Sequence, residues 1–220
     1  MTDLPHVYQL RITLGDGVYH ATRELGRSYQ TGEYLHNYAL TYALGFAVAD
    51  YHDAAQVPRY RDHLGPLRER GLYVTPARPE RVRFANHTFK FADTCNHVQM
   101  LPSSVNVPSY GRARELAPES RFTAYLLCRE EPGKLPHWIR LGKWFGKAAV
   151  EARQMDVSEG EGLFTAHHPL NPLDTELRPT LFDLVNMPPV SIVHHARFDG
   201  PHLKLEDGPT LPADLGYRFP

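Results

Sequence analysis

Prolines set the first limit on what this chain can build. Pro58, Pro66, Pro76 and Pro79 interrupt the region after residue 57, and Pro169, Pro172, Pro179, Pro188, Pro189, Pro201, Pro209 and Pro212 crowd the last quarter. Each removes a backbone donor and locks φ, so no long helix is predicted in either region. Ahead of them, one amphipathic helix is predicted over residues 33–50. Its apolar stripe is Leu35, Tyr38, Ala39, Tyr42, Ala43 and Phe46, with His36, Asn37 and Thr41 off the stripe. Thr31 is its expected N-cap, and Glu33 lies in the first turn, where a negative charge suits the dipole.

Alternation of side chains predicts the strands. Across residues 7–14, Tyr8, Leu10, Ile12 and Leu14 are assigned to the core side, alternating with Val7, Gln9, Arg11 and Thr13. Gly15-Asp16-Gly17 is a turn, 18–22 a returning strand, and 23–29 a basic loop. A short helix at 59–69 and a strand at 72–75 follow. Residues 82–91 read as strand or hairpin, and 92–119 as a protruding loop or hairpin. Residues 121–128 are apolar enough for a central strand. The predicted fold is α+β: a ferredoxin-like (RRM-like) core with an inserted thumb-like excursion and a small loop-rich C-terminal part. The division expected is 1–155 and 156–220.

The stretch Trp138–Ala148 carries the chemistry. It holds Arg140, Lys143 and Lys147, both tryptophans of the chain, Phe145, Gly142 and Gly146, and no acid. Glycines allow close approach of a ligand, cations neutralise phosphate, and aromatic faces stack on unpaired bases. One reading is a loop that holds a single-stranded polynucleotide. The other is an amphipathic hairpin with its aromatics in the core and its lysines merely solvated. A P-loop is excluded: Gly142 and Gly146 enclose three residues, and Ala148 stands where a Ser or Thr would bind magnesium. The RNP1 pattern of RNA-recognition sheets does not match either.

Charge is unevenly spread. Residues 1–153 hold 20 basic and 15 acidic side chains, and residues 154–220 hold 4 and 10, giving the chain its net −1. That split suggests a basic working body and an acidic region that faces another protein. Two cysteines without a CxxC spacing argue against a disulfide framework or a cysteine zinc site. The 13 histidines show no metal-ligand spacing. No signal-like N-terminus and no membrane-length apolar run are present, so the cytoplasm is the expected location. A metal-independent ribonuclease needs only a suitably placed His or Lys. His20, His36, His137, Lys143 and Lys147 are conceivable, and no spacing singles out a pair.

Several segments together resemble a known family. These are Ala21-Thr-Arg-Glu-Leu-Gly-Arg27, Leu35-His-Asn-Tyr-Ala-Leu-Thr-Tyr-Ala-Leu-Gly45, Ile139-Arg-Leu-Gly-Lys-Trp144 with Lys147-Ala148, His168-Pro-Leu-Asn-Pro-Leu-Asp174, and Phe182-Asp-Leu-Val-Asn-Met-Pro-Pro-Val190. In order and spacing they resemble the Cas-five subunit of type I-D CRISPR effector complexes, a member of the RAMP superfamily. The resemblance implies a ferredoxin-like core, a thumb hairpin and a glycine-rich loop. It implies binding of the 5′ handle of the CRISPR RNA and capping of the filament of Cas-seven type subunits. It also implies contact with the large subunit near the entry of target DNA, in antiviral defence. A separate Cas-six enzyme cuts the precursor RNA in such systems, so no catalytic residue, metal or cofactor is expected. Because relatives in one other subtype do cut RNA, precursor cleavage is the alternative.

On that resemblance Arg23, Arg27, Arg140, Lys143 and Lys147 are assigned to handle phosphates, with Arg114 on the thumb. Tyr29, Tyr110 and Trp144 are assigned to stacking on bases or shaping the groove. His36 and Asn37 are assigned to hydrogen bonds with the RNA or the loop. Trp138 precedes the bend and is left between core and contact.

Overall fold

Strand alternation does set the main sheet. The computed structural model describes residues 4–26, 28–51, 57–91 and 109–219, with backbone only at 89–91 and 109–110. Strand β1 (His6–Leu14) lies between β8 (Arg121–Cys128) and β10 (Gly146–Met155), antiparallel to both. Next to β10 runs β9 (Trp138–Leu141), and next to β8 run β4 (Tyr73–Val74) and β5 (Arg78–Arg81). One face of this sheet carries Leu10, Ile12, Leu14, Phe122, Ala124, Leu126, Ala148, Val150, Ile139 and Leu141, all buried. The sheet curls, because α1 (Asn37–Ala43) touches both β4 and β9 at its opposite edges.

The protein is mostly sheet with short helices. A ferredoxin-like β-α-β-β-α-β unit has a second helix. Between β8 and β10 the described residues hold the loop 129–137 and β9 instead. The predicted helix over 59–69 forms as two single turns, α2 (Tyr60–Leu64) and α3 (Pro66–Glu69), divided at Gly65.

Helix α1 corrects the sequence reading twice. It spans 37–43, not 33–50, and its cap is His36, whose Nδ1 accepts from Tyr38 N–H at 3.2 Å. Gly45, at φ +78°, ends it. Its buried residues are Asn37, Tyr38, Leu40 and Thr41, followed by Leu44, while Ala39 is exposed. The inward face is thus rotated toward two polar side chains, because both find partners inside.

Those partners form a buried polar knot. Asp174 closes a 3-10 turn (Pro172–Asp174) and is buried. Its Oδ2 accepts from Asn37 Nδ2 at 2.8 Å and from the Tyr73 hydroxyl at 3.0 Å, and its Oδ1 accepts from Arg218 N–H at 3.3 Å. The Tyr217 hydroxyl accepts from Val74 N–H at 3.2 Å and meets the Thr41 hydroxyl. Asn171 Nδ2 donates to the Tyr38 hydroxyl at 3.2 Å. Residues from the last fifty positions therefore share one core with β1, including Val193, Phe198, Leu211 and Tyr217.

A second sheet stands beside the first. Its order is β2 (Arg23–Leu25), β3 (Ser28–Gln30), β7 (Ser109–Leu116), β6 (Phe84–Phe91). Strands β6 and β7 form the expected hairpin, but it begins at 84, earlier than the 92 predicted. Residues 92–108 lie outside the described residues. The basic stretch 23–29 is a small hairpin rather than a loop, and β3 joins β7 in parallel. Of the expected strand 18–22, only a bridge from Val18 to Leu116 forms.

The C-terminal part is more regular than its prolines suggested. It contains β11 (Val157–Gly160), β15 (His202–Leu205) and β16 (Thr210–Pro212) in one small sheet. Another is formed by β12 (Leu163–Ala166), β14 (Ile192–Asp199) and β13 (Leu181–Val185), with β14 central. The prolines fall in the connections or at strand ends, where the lost donor does not interrupt a ladder.

Burial raises the Asp174 carboxyl from 3.8 to about 7, against the lowering effect of its donors Asn37, Tyr73 and Arg218. The native state therefore holds this proton more tightly than the unfolded chain does. Its stabilising contribution is complete below about pH 4 and is lost as pH rises to about 7, by an amount on the order of 4 kcal/mol. Denaturant melts of Asp174→Asn should lack that part of the pH slope; an identical slope would show that Asp174 is not its source.

Candidate nucleic-acid interface

The Trp138–Ala148 stretch is the β9–β10 hairpin, with a four-residue turn at 142–145. Strand alternation decides which way each side chain points. Ile139 and Leu141 face the core, so Trp138 and Arg140 face out. Across the ladder Lys147 sits opposite Arg140, and Ala149 opposite Trp138. Trp138 is 51% exposed. The Arg140 guanidinium lies 5.5 Å from its ring centroid and the Lys147 ammonium 5.2 Å. An exposed aromatic ring with two cations over it, on an outward strand face, is suited to a base and its phosphates. The amphipathic-hairpin alternative put the aromatics in the core; Trp138, Trp144 and Phe145 are all exposed.

The glycines of the turn serve the chain itself. Gly142 has φ +72°, and a Cβ there would come within 2.5 Å of the Tyr19 carbonyl oxygen. A Cβ on Gly146 would strike the Gly17 carbonyl. Lys143 N–H donates to Tyr19 O at 2.8 Å, and Lys147 N–H donates to Asp16 Oδ2 at 2.9 Å. The Trp144 ring stacks on Tyr19 at 4.4 Å between centroids and meets His87 edge-on at 6.3 Å. The close approach that glycine permits here is of turn to loop 15–19, which holds Lys143 and Trp144 at a set place on the surface.

Two arginines absent from the sequence-derived set join the outward face of the first sheet. Arg121 on β8 sits opposite Thr13 on β1, which sits opposite Ala149 on β10, next to Trp138 on β9. Arg11 lies two residues along β1, on the same side. Arg11 and Arg121 are exposed, and Thr13 and Ala149 form a low floor between Arg121 and Trp138. The acids on this face are Glu151, opposite Arg11, and Glu80, which accepts from the Thr123 hydroxyl. Period-two alternation at 7–14 already assigned Arg11 outward; no sequence signal aligned it with Trp138 across three strands.

The remaining assigned residues divide. In the second sheet, Arg23, Gln30, Arg114 and Asn86 form one cross-strand row. Tyr29 lies in the next row with Glu24, Ala113 and His87, on the other face. Tyr29 therefore shares the side that meets Trp144 through His87, whereas Arg23 and Arg114 face the opposite way. Arg114 is half-buried. Its Nη2 donates to Thr31 O at 3.1 Å, and its guanidinium lies 4.3 Å from the Phe84 ring centroid. Arg27 and the Tyr110 side chain lie outside the described residues, though Tyr110 is within β7.

His36 and Asn37 are not on this surface. Both are buried, with His36 bonded through Nε2 to Val190 O at 3.0 Å and Asn37 donating to Asp174. Burial lowers the His36 ring to about 4, and does the same to His20. A family motif around residues 35–45 is thus spent on the core, which residue type alone did not reveal. No cluster of three or more potential metal ligands occurs among the described residues. No described helix is long and apolar enough to cross a membrane.

The family model described as Type I-D CRISPR-associated protein Cas5/Csc1 matches residues 5–220. Among solved structures, the chain is similar to one from the Type III-B Cmr-beta bound to cognate target RNA and AMPPnP. That match has 10% identity and a TM-score of 0.47, over 87% of this chain and 86% of the other. It is also similar to a CRISPR protein from Archaeoglobus fulgidus, at 11% identity and a TM-score of 0.42, over 93% and 98%. No curated protein matches it.

Gly142→Ala should lower the melting temperature by several degrees, since it adds a clash to an unfavourable φ worth about 1–3 kcal/mol. Thermal melts followed by tryptophan fluorescence check this. An unchanged melting temperature would mean that the turn is not held against Tyr19.

Proposed function

The chain belongs to the type I-D Cas5/Csc1 family and is a subunit of a CRISPR effector complex, and from that premise we propose that it grips the 5′ handle of the CRISPR RNA through the β9–β10 hairpin. One observation carries the reading: Trp138 stands outward with Arg140 and Lys147, paired across the hairpin, both over its ring, beside a cationic turn held in place by its own backbone. Arg140 and Lys147 neutralise successive phosphates, Trp138 receives a base, and Lys143 extends the cationic track round the turn. Arg11 and Arg121 continue it across the sheet. Tyr29 and Trp144 border it on the side of the second sheet. Arg23 and Arg114, on the other face of that sheet, meet a different part of the assembly.

In this reading the core is a ferredoxin-like unit in which β9 and its loop stand where the second helix would be. The β6–β7 hairpin is the thumb. The subunit caps the filament and contacts the large subunit near the entering target DNA, in the cytoplasm, as part of antiviral defence. It takes no chemical step. Purified protein incubated with precursor RNA in EDTA should leave the RNA intact. Cleavage at one position, abolished by a single His substitution, would make it a nuclease.

Lys143→Ala with Lys147→Ala should weaken handle binding and reduce the slope of log affinity against log salt by about one unit for each lost phosphate contact. Trp138→Ala should cost about 1–3 kcal/mol at any salt concentration, as the loss of a stacked base does. Titrations of labelled handle RNA at several salt concentrations separate the two effects. Wild-type affinity and slope in the double variant would remove the hairpin from the interface.

A further inference from the structure

The small sheet β12–β14–β13 has unequal edges. Strand β12 is covered by β16, whereas β13 bonds to β14 alone among the described residues. About half of the peptide groups of a terminal strand point away from its only neighbour. Natural edges of this kind usually carry lysine or proline, or are hidden. Here the strand reads Leu181-Phe-Asp-Leu-Val185, with Leu181 68%, Phe182 43% and Leu184 64% exposed. Three large apolar side chains thus crowd five residues of this edge: Phe182 and Leu184 share one side, and Leu181 lies beyond a register shift in the β13–β14 pairing. A strand added to the edge would cover both sides.

We propose that the free edge of β13 is a docking strand to which another protein subunit of the effector complex adds a strand of its own, apolar in its alternate positions and basic opposite Asp183. The proposal rests on the chain being a subunit of such a complex, and not on its RNA contacts. Charge decides the class of occupant. The strand itself carries one charged side chain, the acid Asp183, and no cation, so it offers a polynucleotide nothing that neutralises phosphate. Asp183 sits at the middle of β13, exposed, with its Oδ2 3.0 Å from His195 Nδ1. A second copy pairing antiparallel about that middle residue would set Asp183 against Asp183, and like charges directly opposite destabilise a strand pair. A heterologous strand with Lys or Arg at that position avoids the conflict and buries Phe182 and Leu184.

Hydrogen exchange on the full chain, alone and assembled with its CRISPR RNA and the other protein subunits, reads the edge directly. Amides of 181–185 should slow at least tenfold on assembly; unchanged exchange there overturns the proposal. Phe182→Glu with Leu184→Glu, and separately Asp183→Lys, should weaken incorporation into the complex at least tenfold. Handle binding by the free chain should stay within about twofold of wild type. Normal incorporation of both variants overturns the proposal, as does a wild-type homodimer that the same substitutions dissolve. Protection of 181–185 in a chain that ignores handle RNA would leave this proposal standing while removing the RNA reading.

Discussion

One buried carboxylate ties together parts of the chain that are far apart in sequence. Asp174 takes donors from α1, from β4 and from the backbone of Arg218, while neighbouring Tyr217 takes others from Thr41 and Val74. A charged group out of water is costly unless satisfied, and removing any one donor leaves the rest exposed to that cost. The knot sets where α1 sits, and α1 touches both edges of the curled sheet. The other sheet face is buried at Val7, Gln9, Thr123 and Tyr125 and open at the end that carries Arg11, Arg121, Trp138 and Arg140.

What could be read beforehand was what alternation governs. Strand β8 matches its predicted bounds because its continuous apolar run is buried almost throughout, and β1 differs by one residue because alternation is written in its second half. The helix was misjudged for the opposite reason. Counting apolar residues gave a stripe through Ala39, but burial there follows hydrogen-bond partners supplied by residues 73, 174 and 217. Nothing local to residues 33–50 announces them. The same distance effect hid most of the strands of the C-terminal part and turned His36 and Asn37 from surface candidates into core residues. The cationic loop was legible as chemistry and ambiguous as geometry; only the pairing of Ile139 and Leu141 with the core settled which way Trp138 points.

The surface separates two kinds of recognition. The outward face of the first sheet offers cations around an aromatic plane, where ionic strength should dominate. The β13 edge offers apolar side chains and one acid, Asp183, and in the proposed docking water exclusion and ladder bonding dominate. A subunit of a CRISPR effector complex that binds RNA as proposed has to meet both a polyanion and polypeptides. Cations on the one surface and none on the β13 strand let each discourage the other's ligand.

The seating of Gly142 and Gly146 against residues 17–19 has a consequence for how such a chain can change. The hairpin and the loop after β1 are more than 120 positions apart, yet neither can alter its backbone alone: a side chain at either glycine meets a carbonyl of the other segment. The two segments form one inherited unit. A hairpin transplanted from a relative to alter RNA preference would have to bring its own version of residues 15–19, or arrive with its cations pointing elsewhere.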